Sequence, residues 1–334
     1  MMLAYLKTYL TMVSTLLLLI GAVNLGVDPL WYNKGNKLNQ VNVPYNERLT
    51  KTNLFLHSAR QKYDCVIFGS SRVTLLGSKA LKNNFCFNYS FSAATSEEIA
   101  KYAQYVKDKG INPKKVYVGI DAYNFTFDKK TSFKNKVEVA EPKPIYQPYI
   151  FSIDTLQMSL KTVFRLNTEI RFYDGDFQGK IFENAPKYKP KLSNQKTQEK
   201  CNFQRIAYYR QIRNIFPNAK IIGYVPPISV WKLFNESYAR GLLDCQLQAI
   251  YEASKTYDLT YDFSYPSEIT IRTDNTYDGS HYHPDVNNQI ARVLEGEQAI
   301  FGIPIHQYRL NEYQQFHKNK LKEFLQKQGE VKRL

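Results

Sequence analysis

Twenty consecutive residues without a charged side chain, 8 to 27 (TYLTMVSTLLLLIGAVNLGV), constrain this chain more than any other feature. Wound as an α-helix they rise about 30 Å, the thickness of the hydrocarbon layer of a bilayer. A segment apolar on every side does not suit the wall of a soluble core. Residues 1–30 are therefore expected to form an N-terminal transmembrane helix. A cleaved secretory signal is the alternative, with Lys7 in its n-region and Leu16–Ile20 as its h-region. The stretch GAVNLGVDPLWY that follows offers only Gly21, Ala22 and Gly26 as small residues, which favours an uncleaved signal-anchor. Trp31 and Tyr32 then fall where an interfacial aromatic belt is expected. Lys7 precedes the run while Lys34, Lys37 and Arg48 follow it, so flanking charge does not orient it.

No later segment is long and apolar enough to span, so the remainder reads as one soluble body. At 43% hydrophobic it has the material for a sizeable core. The net charge of +15 admits nucleic acid, an anionic membrane surface or an anionic polymer as partners. Nucleic acid is not expected: the lysines are spread along the chain, and no zinc-ligand spacing, basic zipper or RNA-binding aromatic signature occurs. Cys65, Cys86, Cys201 and Cys245 form no CxxC and have no neighbours at metal-ligand spacing, so no metal site is expected. Their redox state stays open.

Residues 31–60 are polar and read as a juxtamembrane connector. Beyond them, short apolar runs bounded by turn residues mark strands buried on both faces. These are residues 63–68, 85–90, 116–120, 221–225 and 259–263. Helical periodicity lies between them, from Ser96, over Phe203–Phe216, over Leu242–Tyr257 and over Pro284–Leu294. Strands alternating with helices predict an α/β domain over 61–307, a flavodoxin-like open parallel sheet with helices on both faces. Residues 126–200 break the rhythm and read as a mid-chain insertion, either a lid or platform over the sheet edge or a surface excursion. Its one periodic element is Ile153–Leu166. Residues 308–334 read as a charged, solvated C-terminal helix.

Two short segments carry chemistry. Gly69-Ser70-Ser71-Arg72 follows the first predicted strand, where open parallel sheets bind ligands. A helix starting there would aim its N-terminus at an oxyanion. Asp278-Gly279-Ser280-His281 stands before the last core helix, and only five histidines occur in the whole chain. A serine needs a base, and the base a carboxylate that fixes its tautomer; an Asp three residues before a His supplies both.

Together the two segments resemble the SGNH (GDSL-like) hydrolase superfamily, over about residues 60–300 apart from the insertion. The resemblance implies a triad of Ser71, Asp278 and His281, with His281 rather than His283 as base. It is closest to the membrane-anchored branch of teichoic-acid D-alanylation and polysaccharide O-acetylation. The family's second block would place the Ser90 N–H in an oxyanion hole with that of Ser71. In its third block Asp121 replaces the usual Asn, which leaves Asn124 as the candidate side-chain donor, since an ionised Asp cannot donate. Arg72 is a candidate contact for an anionic substrate group, or one half of a structural ion pair.

The implied function is an O-acyl esterase or acyltransferase acting on a cell-envelope polysaccharide, or another acylated polymer, through an acyl-serine. It needs no cofactor, and its expected place is the outer face of the cell membrane, beside a membrane-bound O-acyltransferase. The alternative is a non-catalytic, glycan-binding accessory subunit.

Overall fold

The structure is a computed structural model that describes residues 1–58, 63–82, 84–127, 138–166, 168–193, 197, 199–298 and 301–330. Its first elements are α1 (Met2–Val27), α2 (Glu47–His57), β1 (Cys65–Phe68), β2 (Cys86–Asn88), α3 (Ser96–Asp108), β3 (Lys115–Gly119) and β4 (Thr126–Phe127). The middle of the chain adds α4 (Tyr146–Ile150), α5 (Ile153–Val163), β5 (Arg171–Tyr173), β6 (Gly179–Ile181) and β7 (Lys200–Cys201). Next come α6 (Ile206–Ile215), β8 (Lys220–Val225), α7 (Val230–Lys232) and a π-helical turn (Leu233–Tyr238). The last are α8 (Leu243–Ser254), β9 (Leu259–Asp262), α9 (Pro284–Leu294), β10 (Ile303–Pro304) and α10 (Leu310–Lys327).

Two compact units divide these elements: Met1–Arg60 with Ala140–Glu183, and Gln61–Val139 with Asn184–Leu334. In the first unit α1 is long and apolar enough to cross a membrane, with a mean hydropathy of 2.1. Leu16, Leu18 and Leu19 are exposed, so the middle of this helix joins no core. Its last turns do pack, burying Gly21, Asn24 and Val27. The expected connector is instead folded. Asn46 caps α2 by accepting from the Leu49 N–H, and much of α2 is buried. Trp31 and Tyr32 are core residues rather than an interfacial belt: Trp31 packs edge-on against Tyr173, and Tyr32 against Tyr149. The physical reason is that residues 140–183, read as part of an insertion, supply the apolar partners that residues 28–57 lack alone. Of that insertion, 128–137 lie outside the described residues.

The second unit is α/β. Its central sheet has six strands in the order β2-β1-β3-β8-β9-β10, all parallel except β10 against β9. Cys65–Phe68 and Ile221–Val225 are fully buried, as the unbroken apolar runs require of strands covered on both faces. Ile67, Tyr117 and Ile222 share a core with Val286, Ile290 and Leu294 of α9. The helix α3 is held at its start by a reciprocal capping box between Thr95 and Glu98.

Two disulfides join Cys65 to Cys86, on adjacent strands, and Cys201 to Cys245. The C-terminal helix is not simply solvated. Tyr313, His317, Leu321 and Leu325, four residues apart, are buried. There His317 Nε2 meets Asp262 Oδ2 at 2.8 Å, at the end of β9. Burial pushes the Asp262 carboxyl up, but His317, Tyr313 and Ser264 outweigh it and hold it below its ordinary value.

Candidate active site

Strand order reverses across β1 and β3, since β2 lies on one side of β1 and β3, β8 and β9 follow on the other. A crevice opens at such a point, outside the carboxyl ends of the strands. Ser71 stands there, three residues beyond β1. Gly69 is required by close approach: a Cβ on it would come within 2.4 Å of Val73 Cγ2. Ser70 is buried and its Oγ accepts from the Arg72 N–H, whereas Ser71 lines a cavity of about 540 Å³. Of the two hydroxyls it is Ser71 that faces a space where a substrate fits.

The helix expected after Ser71 does not form. Residues 70–76 make successive turns, with Val73 N–H donating to Ser70 O and Thr74 N–H to Ser71 O. The Thr74 hydroxyl takes the same Ser71 carbonyl at 2.7 Å, competing with a helical partner. No helix macrodipole is therefore aimed at Ser71.

The closing segment behaves as a unit. Asp278 Oδ1 accepts from the N–H groups of Ser280 and His281, at 2.8 and 2.9 Å. Its Oδ2 lies 2.7 Å from His281 Nδ1, and the Tyr277 ring is stacked on the imidazole. Gly279 bridges the pair at φ 83°, where a Cβ would also run into Tyr188 and Ser229. Burial would raise the Asp278 carboxyl, but its bonds to His281 and the two N–H groups outweigh that and bring it down to about 2. An ionised Asp278 holds a proton on Nδ1 and leaves Nε2 as the base. His283 has no such partner role; it precedes Pro284 as the N-cap of α9.

Ser71, Ser280 and His281 line the same cavity. No bond joins Ser71 to the imidazole: His281 Nε2 is buried and has no hydrogen-bond partner among the described residues. Apo sites are commonly loose in this respect and tighten on substrate.

Two of the three expected oxyanion donors, Ser90 and Asn124, are engaged elsewhere. The Ser90 N–H donates to Asn88 Oδ1 at 3.1 Å. Asn124 is fully buried; its Oδ1 accepts from the Ser96 N–H at the start of α3, and its Nδ2 donates to Tyr209 Oη. Asn124 thus caps and braces structure and does not line the cavity. Arg72 lines the cavity and forms the structural ion pair that was its alternative reading. Its Nη1 lies 2.9 Å from Asp121 Oδ1, and Nη2 donates to the carbonyls of Pro226 and Pro227. Asp121 stands where an Asn was expected because a buried guanidinium needs a carboxylate.

Sequence reasoning missed Ala93, which lines the cavity at φ 53°. Its only signal is the run of small residues Ser92-Ala93-Ala94 before the Thr95 cap. It also missed the far wall, formed by Glu236 and Ser237 of the π-helical turn with Arg240, Glu199 and Gln246. Charges on that wall are compensated, Arg240 by Glu199 at 3.6 Å and Glu236 by Lys232 at 3.5 Å. Among the described residues no group of three His, Cys, Asp or Glu side chains is placed to hold a metal ion.

No protein-family model matches this chain, and no curated protein sequence does.

Proposed function

We propose that this chain is a serine esterase or acyltransferase of the SGNH type, acting on an O-acylated cell-envelope polysaccharide at the outer face of the membrane. One observation carries the proposal. His281, held by Asp278 at 2.7 Å, lines one cavity with Ser71 at the switch point of a parallel sheet. Taken in order along the chain, the five parallel strands lie as 2-1-3-4-5, the flavodoxin-like winding that SGNH enzymes would require.

The chemistry divides into two halves. Ser71 Oγ attacks the acyl carbonyl carbon while its proton passes to His281 Nε2. Asp278 keeps the Nδ1 proton in place and stabilises the imidazolium. The C–O bond to the leaving alcohol breaks, Nε2–H protonates that alcohol, and acyl-Ser71 remains. His281 then removes the proton from water or an acceptor hydroxyl, which attacks the acyl-serine and frees Ser71. With Asn124 and the Ser90 N–H engaged, backbone N–H groups around Ser71 and Ala93 serve the oxyanion.

Two features support the extracytoplasmic placement. α1 has signal-anchor form, and all four cysteines are paired, which an oxidising compartment permits. A membrane-bound O-acyltransferase that supplies acyl groups is the partner this reading implies.

A second reading, an accessory glycan-binding subunit, is favoured by the absent Ser71–His281 bond and the displaced oxyanion donors. Fluorophosphonate labelling separates the two. The catalytic reading expects covalent labelling of the full chain that Ser71→Ala and His281→Ala both abolish. A chain that takes no label, or labels equally in Ser71→Ala, leaves the accessory reading.

A further inference from the structure

Helix α5 turns an apolar stripe outward, although Met158 on another side packs against the cluster of Leu30, Tyr32 and Tyr149. The positions it buries are Thr155, Ser159 and Thr162, while Ile153, Leu160 and Phe164 are 74%, 43% and 64% exposed. Spacings of seven and four put those three side chains on one stripe of the helix. The preceding turn also leaves large apolar side chains outside: Tyr146 and Phe151 are exposed, while Tyr149 is buried against Leu30 and Tyr32.

The inward polar groups are paired within the unit. Ser159 Oγ donates to Asn24 Oδ1 at 2.8 Å, and Asn24 Nδ2 donates to the Tyr149 carbonyl at 2.8 Å. Thr162 Oγ1 donates to the Met158 carbonyl. α1 comes close through Gly21, where a Cβ would touch Ile150 Cγ1 at 3.4 Å. Small and hydroxyl-bearing residues between helices, with large apolar side chains facing out, is how helices pack when the surrounding solvent is hydrocarbon. In water the same arrangement would be turned round, because burying the apolar stripe is what stabilises a soluble helix.

We infer that α4 and α5 are immersed in the membrane beside the C-terminal end of α1, as a half-inserted pair rather than a second span. At 11 residues α5 extends about 16 Å, too short for a layer of about 30 Å. The 26 residues of α1 extend about 39 Å, so its last turns, which carry Asn24, reach the interface where α4 and α5 meet it. Leu18, Leu19 and Leu25 of α1, the helix on which α4 and α5 pack, are exposed as well. Lys161 and Arg165 flank that stripe and suit lipid headgroup phosphates. The inference does not depend on the chemistry at Ser71.

The test places an environment-sensitive fluorophore on a single added cysteine in the full chain. The positions are Leu160→Cys and Phe164→Cys on the stripe, Leu18→Cys in α1, and Asp176→Cys in the exposed β5–β6 turn. Vesicles of phosphatidylcholine and phosphatidylglycerol, holding no other protein, carry a nitroxide near the headgroup end of the acyl chains. The expected result is blue-shifted emission at 160 and 164, with loss of intensity to the nitroxide comparable to position 18 and absent at 176. If 160 and 164 behave like 176 while 18 is quenched, the inference falls and the stripe fits a protein partner. If 18 is unquenched as well, the inference falls together with the anchor.

Discussion

Asp121 Oδ1 stands 2.9 Å from Arg72 Nη1, and the guanidinium so held lines the cavity that Ser71 and His281 share. The carboxylate is fully buried and the guanidinium nearly so, and Asp121 Oδ2 and Arg72 Nε have no hydrogen-bond partner among the described residues. Removing one charge strands the other, at a cost of about 3–5 kcal/mol. Asp121→Asn and Arg72→Met should each lower stability by about that much, and the double variant by clearly less than the sum. Urea unfolding of the four proteins followed by circular dichroism measures the coupling; additive losses would dismiss the pair.

The Asp278–His281 pair predicts a loss of reactivity without a loss of fold. Asp278→Asn should slow fluorophosphonate labelling of Ser71 by about 10²–10⁴, because an amide no longer fixes the imidazole tautomer. The folded-state carboxyl sits at about 2, below its ordinary 3.8, so its contribution to stability is complete above 3.8 and disappears as pH falls through 2. Thermal midpoints of wild type and variant should therefore converge between pH 4 and 2. A difference that persists at pH 2 would contradict the assignment.

Ala93 occupies the left-handed region at φ 53°, a conformation costing an L-residue roughly 1–2 kcal/mol. Ala93→Gly should raise the urea midpoint and leave labelling of Ser71 intact. Ala93→Val should lower both, since a branched side chain fits neither that backbone nor the cavity wall. Equal stability of all three proteins would argue against the turn.

The cysteine pairs predict a thiol count. The protein as isolated should show no reactive thiol when denatured without reductant, and four after reduction. Replacing Cys65 and Cys86 together by serine opens a loop of 21 residues and should cost about 3 kcal/mol. Free thiols in protein prepared from the intact cell envelope would instead point to a reducing compartment.

Much of the fold was legible because its signals are short in range. Residues 65–68 and 221–225 are unbroken apolar runs, and a parallel strand covered on both faces permits little else. The helix from Ser96 declares itself by its periodicity, though its cap is Thr95 rather than Ser96, and α9 by Pro284 at its first turn. The Asp278–His281 contact spans three residues, so local loop geometry alone can form it. These were decided by sequence.

Other features depend on which segments the folded chain brings together. The Ser90 N–H is taken by Asn88 and Asn124 is taken by Ser96, so an oxyanion role read from block spacing was displaced by nearer partners. Arg72 reads as either a substrate contact or half of an ion pair, and only the fold sets Asp121, 49 residues away, beside it. Trp31 and Tyr32 read as an interfacial belt until residues 140–183 cover them. The face of α5 that is buried could not be told from its periodicity, because an amphipathic pattern fixes two faces but not which one meets solvent. Only the tertiary structure, by pairing Ser159 with Asn24, turned its apolar stripe outward. Long-range pairing and the choice of solvent are properties of the assembled chain, and no window of sequence contains them.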